Sequence, residues 1–255
     1  MWKVCKYTLI DLARNKFVLG YAALLLLVTM GLFQLETEPL KSLISLTQVV
    51  LALVPLIALV FTIIYFYNQS EFTVLLAVHP LRRRHIMLGQ LLAITVALLA
   101  AFVVGTALPV ITYAPSATAV VMILTGGALT LVFTALGALI AVKNRDRARG
   151  VGIGLVTWVL LALVYDALLL WTMFAFSDRP IEPLIVPLAA LDPIDLARIL
   201  IMLKIDLAAL LGYTGAVYQQ FFGATGGMLI SFGALMLWAL LPAWWSLRVF
   251  ARKDL

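Results

Sequence analysis

The sequence predicts an all-α integral membrane protein with six transmembrane helices, and three observations carry that prediction. Hydrophobic residues make up 64% of the 255 positions and charged residues 12%, against roughly 45–50% and about 25% in soluble domains. Six apolar segments have the length that a bilayer core demands of a helix, about 20 residues: Phe17 to Phe33, Ile44 to Tyr67, Ile86 to Tyr113, Ala117 to Val142, Gly150 to Phe176 and Gly226 to Ser246. The loops between them alternate between rich and poor in basic residues, which sets an orientation.

The N-terminal stretch (Lys3, Lys6, Arg14, Lys16), the second loop (Arg82, Arg83, Arg84), the fourth loop (Lys143, Arg145, Arg147, Arg149) and the C-terminal stretch (Arg248, Arg252, Lys253) hold 14 of the 18 Lys and Arg. The opposite side has Lys41, Arg179, Arg198 and Lys204. The positive-inside rule makes the first side cytoplasmic, with both termini there. The net charge of +6 therefore reads as a topology signal and not as a nucleic-acid footprint. The single cysteine, Cys5, excludes an intrachain disulfide and a cysteine-based metal cluster.

Residues Trp2 to Asn15 set Trp2, Cys5, Leu9 and Leu12 on one side and most of the basic residues elsewhere, the pattern of a helix lying on the membrane surface. The first apolar run comes after a basic region as a secretory leader would, but Gln34-Leu35-Glu36-Thr37-Glu38 supplies no small-residue cleavage site, so the run is expected to stay as an anchor. Small residues inside the spans, such as Gly126, Thr130 and Thr134 or Gly150 and Gly154, point to close helix packing. The whole chain, residues 1–255, reads as one transmembrane domain.

Between 177 and 225 lies an extracytoplasmic segment with internal order. Asp192-Pro193-Ile194-Asp195 reads as an N-cap, a proline at the first helical position and an acid in the first turn. Leu196, Ile199, Leu200 and Leu203 come next at helical spacing, and a second short helix from Asp206 to Leu211 is expected to stop at Gly212. The pair is expected to lie at the interface, capping the outer mouth.

Enzymatic chemistry finds no support. His79 and His85 are six apart without a zinc-binding partner set, and no Gly-x-Ser-x-Gly elbow or Gly-x-x-x-x-Gly-Lys phosphate loop occurs. No catalytic or metal-ligating residue is predicted. The eight methionines are scattered, and packing accounts for them better than a copper path does.

Two places stand out. Asp166 is the acid inside a span, roughly 24 Å along the helix from Gly150 and about 15 Å from Phe176. A carboxylate there costs on the order of 2.5–3.5 kcal/mol. It is either a group on a substrate path or proton-sensitive gate, or a side chain bonded to a neighbouring helix. The element at 68–85 interrupts the apolar segments: Phe72, Leu75, Leu76 and His79 fall near one helical face suited to a partner's groove, Pro80 ends that helix, and Arg82, Arg83 and Arg84 come directly after. The plainer reading is a loop whose arginines only set topology.

The stretch Glu71-Phe-Thr-Val-Leu75-Leu76-x-x-His79-Pro80-Leu-Arg82-Arg83-x-x-Ile86-x-x-Gly89 resembles the cytoplasmic coupling helix of type-2 ABC exporter permeases, with Phe72 where that family has glycine and Gln90 where it has lysine. Leu163-Val164-Tyr165-Asp166 and Leu191-Asp192-Pro193-Ile-Asp195-x-x-Arg198 resemble the permease subunit of the nitrous-oxide reductase maturation transporter, with Asp192 in place of asparagine and Ala197 in place of an aromatic residue. The stretch Phe250 to Leu255 is similar to the tail of such permeases.

The resemblance implies a homodimer in a bacterial inner membrane with two separate ABC ATPase subunits below it, ATP and magnesium residing on those subunits and no cofactor on this chain. Glu71, Phe72, Leu75, Leu76, His79, Pro80, Arg82 and Arg83 would dock the ATPase, and Tyr165 and Asp166 would belong to the translocation path. Asp192, Pro193, Asp195 and Arg198 would serve a gate or a periplasmic accessory protein. The implied function is transport of a sulfur-containing species for copper-sulfur site assembly. Export of drugs, lipids or ions and a non-transporting membrane scaffold are the alternatives.

Overall fold

The computed structural model describes residues 2–36, 38–70, 72–73, 83–175, 188, 190–204 and 212–252, the side chains of 173 and 203–228 excepted. Helices account for nearly all of these residues, and no strand occurs among them. In chain order they are α1 (Trp2–Ala13), α2 (Lys16–Leu35), α3 (Pro39–Asn68), α4 (Arg83–Tyr113), α5 (Ala117–Lys143), α6 (Arg147–Val159, continuing through Leu160–Val164 into Tyr165–Ala175), α7 (Pro193–Lys204) and α8 (Gly212–Arg252). Six are long and apolar enough to cross a membrane: α2, α3, α4, α5, α6 and the Leu229–Arg252 part of α8.

Each expected span overlaps one of these six helices, although Gly226 precedes the Leu229–Arg252 part of α8 and Phe176 lies outside the described residues. Local chemistry starts several of them. The side chain of Asn15 accepts from the Phe17 amide, Ser116 from the Ala119 amide and Asp146 from the Arg149 amide, each occupying one of the donors a helix N-terminus leaves open.

The core runs through α3, α4 and α5, with Leu46, Val50, Val54, Leu59, Ile94, Leu98, Leu129 and Phe133 all buried. Threonines inside these helices donate back to the preceding turn, as Thr130 does to the Gly126 carbonyl and Thr134 to the Thr130 carbonyl. Thr95 and Thr134 also meet across α4 and α5 at 3.2 Å. The small-residue reading holds where helices touch: a side chain at Gly150 would collide with Tyr67, and one at Gly154 with Ile63.

Two stretches depart from regular helix. Val103–Ala107 in α4 and Leu160–Val164 in α6 are π turns, each inserting one extra residue per turn and rotating the remainder of its helix. Gly105 in the first of them approaches the Ala22 carbonyl of α2 so closely that a Cβ would lie 2.7 Å from it.

Helix α1 buries Leu12 and packs Cys5 and Leu9 against the core, as its pattern predicts, while Trp2 is exposed. The segment before the last span differs from expectation. Gly212, expected to stop a short helix, opens the 41-residue α8, a length of about 60 Å that exceeds a bilayer core. The expected helix at 206–211 lies outside the described residues. Helix α7 does not lie on a surface: from Asp192 to Ile201 every side chain except Arg198 is buried, enclosed by α3, α5, α6 and α8. An all-round apolar environment, not an amphipathic stripe, is what Ile194, Leu196, Ala197, Ile199 and Leu200 suit.

Candidate functional site

The sequence of α7 builds the first candidate site. Asp192 precedes the helix and accepts from the Ile194 amide at 3.1 Å and the Asp195 amide at 3.3 Å, while Pro193 occupies the first helical position. One turn on, Asp195 and Arg198 share a face at i and i+3, and Arg198 Nη1 donates to Asp195 Oδ1 at 2.8 Å.

The same nitrogen donates to Asp166 Oδ1 of α6 at 2.6 Å. Tyr165 directly follows the π turn of α6, with Asp166 next, and Tyr165 donates its hydroxyl to the Leu188 carbonyl at 2.5 Å. Sequence reasoning singled out all of these residues but assigned them to two separate places. The structure brings Tyr165, Asp166, Asp192, Asp195 and Arg198 into one cluster. The missed signal was scarcity: an acid in a span needs a cation, and few basic residues lie on that side of the chain.

Three carboxyl groups therefore surround one guanidinium. Burial pushes Asp192 up to about 7, its bonds from the Ile194 and Asp195 amides opposing that rise. Burial and the neighbouring Asp192 push Asp195 up to about 8, although Arg198 pulls the other way. Burial alone would lower Arg198, but its bond to Asp166 and the charge of Asp195 hold it above its ordinary value. Asp195 Oδ2 is buried with no hydrogen-bond partner among the described residues. The arrangement can hold a charge pair across two helices and bind or release a proton.

The second candidate lies at the basic end. Leu75, Leu76, His79, Pro80, Arg82 and Glu71 lie outside the described residues. Phe72 is exposed, and Arg83 begins α4. Thr73 is buried; its amide donates to the Gln69 carbonyl, and its hydroxyl accepts from Gln90 Nε2 of α4 at 3.0 Å. Gln90 thus ties Thr73 to the next span. A cavity of about 250 Å³ lined by Tyr7, Thr8, Asp11, Tyr65, Gln69 and Phe72 opens between α1 and this element. Among the described residues no group of three or more His, Cys, Asp or Glu could hold a metal ion.

These features define a multi-pass helical membrane protein with a charged joint between a span and a buried non-spanning helix. No family model matches the chain. It is 26% identical to the probable ABC transporter permease protein NosY of Pseudomonas aeruginosa, across 82% of this chain and 84% of that protein. It is 25% identical to the probable ABC transporter permease protein NosY of Stutzerimonas stutzeri, across 96% of this chain and 93% of that one. The resemblance to NosY-type permeases carried by the motifs is thus met along most of the sequence, and it supports a permease role.

Proposed function

We propose that this chain is the membrane-spanning subunit of an ATP-driven transporter that works as a homodimer with two ABC ATPase subunits, in a bacterial inner membrane with both termini cytoplasmic. The observation that carries the reading is the near end-to-end similarity of a six-span chain to two proteins named as ABC transporter permeases. The distribution of basic residues supports the orientation.

In this reading the element from Glu71 to Arg83 receives the ATPase, and the bond from Gln90 to Thr73 passes its motion into α4. At the other end, Asp166 and Arg198 link α6 to α7, so a shift of one helix is felt by the other. The cargo is a sulfur-containing species used in copper-sulfur site maturation of nitrous-oxide reductase, with a periplasmic accessory protein on the outer side. That part rests on the resemblance of the Tyr165–Asp166 and Asp192 to Arg198 motifs.

Affinity purification of the tagged chain from its native membranes, with identification of companion subunits, tests the proposal. An ABC ATPase is expected to copurify, and Leu75→Asp with Leu76→Asp is expected to remove it while the chain still inserts. ATPase binding undiminished by that change would sink the docking assignment. For Asp166→Leu, unchanged transport by the protein that still folds would reduce Asp166 to a structural residue.

A further inference from the structure

An apolar groove of about 450 Å³ runs along the outside of the bundle between α5 and α8. Leu136 and Leu139 form one wall, and Leu237, Leu241, Trp244 and Trp245 the other. The α8 residues stay roughly half exposed, and from Leu237 to Trp245 they cover about 12 Å of helix.

Two cations stand at the basic end of this groove. Lys143 Nζ lies 3.6 Å from the centre of the Trp245 ring, and the Arg248 guanidinium lies 3.5 Å from that of Trp244. Lys143 ends α5 one turn beyond Leu139, and Arg248 lies one turn beyond Trp244. Neither has an acidic partner among the described residues. Seating on an indole face fixes each cation while leaving its N–H donors free to meet an anion.

We infer that the α5–α8 groove binds one anionic phospholipid, with its headgroup phosphate on Lys143 and Arg248 and an acyl chain laid along Leu139, Leu241 and Leu237. Tryptophan at headgroup depth and basic groups at a leaflet surface suit such a ligand. Charge argues against a second copy of the chain as occupant. The end of the molecule holding 14 of the 18 basic residues carries only Asp11, Glu71, Asp146 and Asp254 among its acids, so two copies meeting there would set cation against cation. Helix α6 is the span with the least buried surface, 11% of its apolar window against 28% for the last span, and no cation is stacked on an exposed ring there among the described residues. Protein contact is better served at α6.

The test is quenching of tryptophan fluorescence in the full-length protein in detergent by brominated phosphatidylglycerol and, separately, brominated phosphatidylcholine. The Trp244→Phe/Trp245→Phe protein supplies the background from the other indoles. Half-quenching is expected at roughly tenfold less phosphatidylglycerol than phosphatidylcholine, a preference lost in Lys143→Gln/Arg248→Gln and kept in Lys143→Arg/Arg248→Lys. High salt acting on the unaltered protein should erode the same preference, which keeps the test open where the glutamine protein fails to fold. Equal quenching by the two lipids, or a preference that survives the glutamine changes, would overturn the inference. So would quenching that appears only once a dimer is dissociated, since the groove would then be covered by a second copy.

Discussion

Arg198 of α7 donates to Asp166 of α6 at 2.6 Å across 32 residues of sequence. The bond explains how a carboxylate is tolerated inside a span, where it would otherwise cost on the order of 2.5–3.5 kcal/mol. It also explains why α7 is drawn into the bundle: a helix carrying the counter-ion must reach the depth of the acid, and the apolar residues of its remaining faces make that depth favourable. Both side chains keep about a third of their surface exposed, which moderates the strength of the pair.

Removing Arg198 leaves Asp166 unpaired and strands Asp195, whereas Asp166→Asn leaves Arg198 its bond to Asp195, so both changes should lower the melting temperature, Arg198→Gln more. The double change should cost less than the sum of the two, with a coupling of about 1–3 kcal/mol. Thermal unfolding of the four proteins in one detergent measures it; additive losses would show that the pair contributes nothing to stability.

Stability should fall as pH rises. Asp192 and Asp195 titrate near 7 and 8 in the folded chain, above the ordinary value of 3.8. Between those limits the folded state therefore binds more protons than the unfolded one, and unfolding becomes easier from about pH 4 up to about pH 8, then levels off. The melting temperature at pH 5.5 should exceed that at pH 8.5 by several degrees. Asp195→Asn, which imitates the protonated acid, should flatten the dependence and raise stability at pH 8.5. Asp192→Asn should weaken the dependence while keeping the cap, because asparagine caps as well as aspartate. A flat profile in the unaltered protein would refute the assignment.

The spans and the cap of α7 were legible because both are local: a run of apolar residues, and Asp192 next to Pro193. The joint itself was not, because Asp166 and Arg198 meet only through the packing of α7, and neither hydropathy nor charge counting encodes that geometry. The π turns at Val103–Ala107 and Leu160–Val164 leave no mark in sequence periodicity that distinguishes them from ordinary helix.

Glycines in the spans should divide by the atoms that face them. A Cβ at Gly137 would lie 2.8 Å from the Leu59 carbonyl and 3.0 Å from the Thr62 Cβ, so Gly137→Ala must push α3 and α5 apart; one at Gly152 meets nothing within 4 Å. The first change should lower the melting temperature by roughly 1–3 kcal/mol equivalent. The second should leave it unchanged or raise it, since alanine favours helix by about 1 kcal/mol. Comparing the two single variants by thermal unfolding checks the packing of α3 on α5; equal effects would contradict it.

The bond from Gln90 Nε2 to the Thr73 hydroxyl offers a separate handle on the basic end. Gln90 is buried, and its Oε1 already has no partner among the described residues. Thr73→Val keeps the shape but strands a buried amide, which should cost about 1–3 kcal/mol. Thr73→Val with Gln90→Leu replaces both partners by apolar groups and should recover most of that loss. Stability and transmission then separate. If the bond carries motion from the coupling element into α4, the double variant will melt like the unaltered protein and still retain its ATPase on purification, yet ATP hydrolysis will run with transport reduced. Full transport in that variant would leave Gln90 a packing residue and move the transmission step to contacts of Phe72 and Arg83 instead.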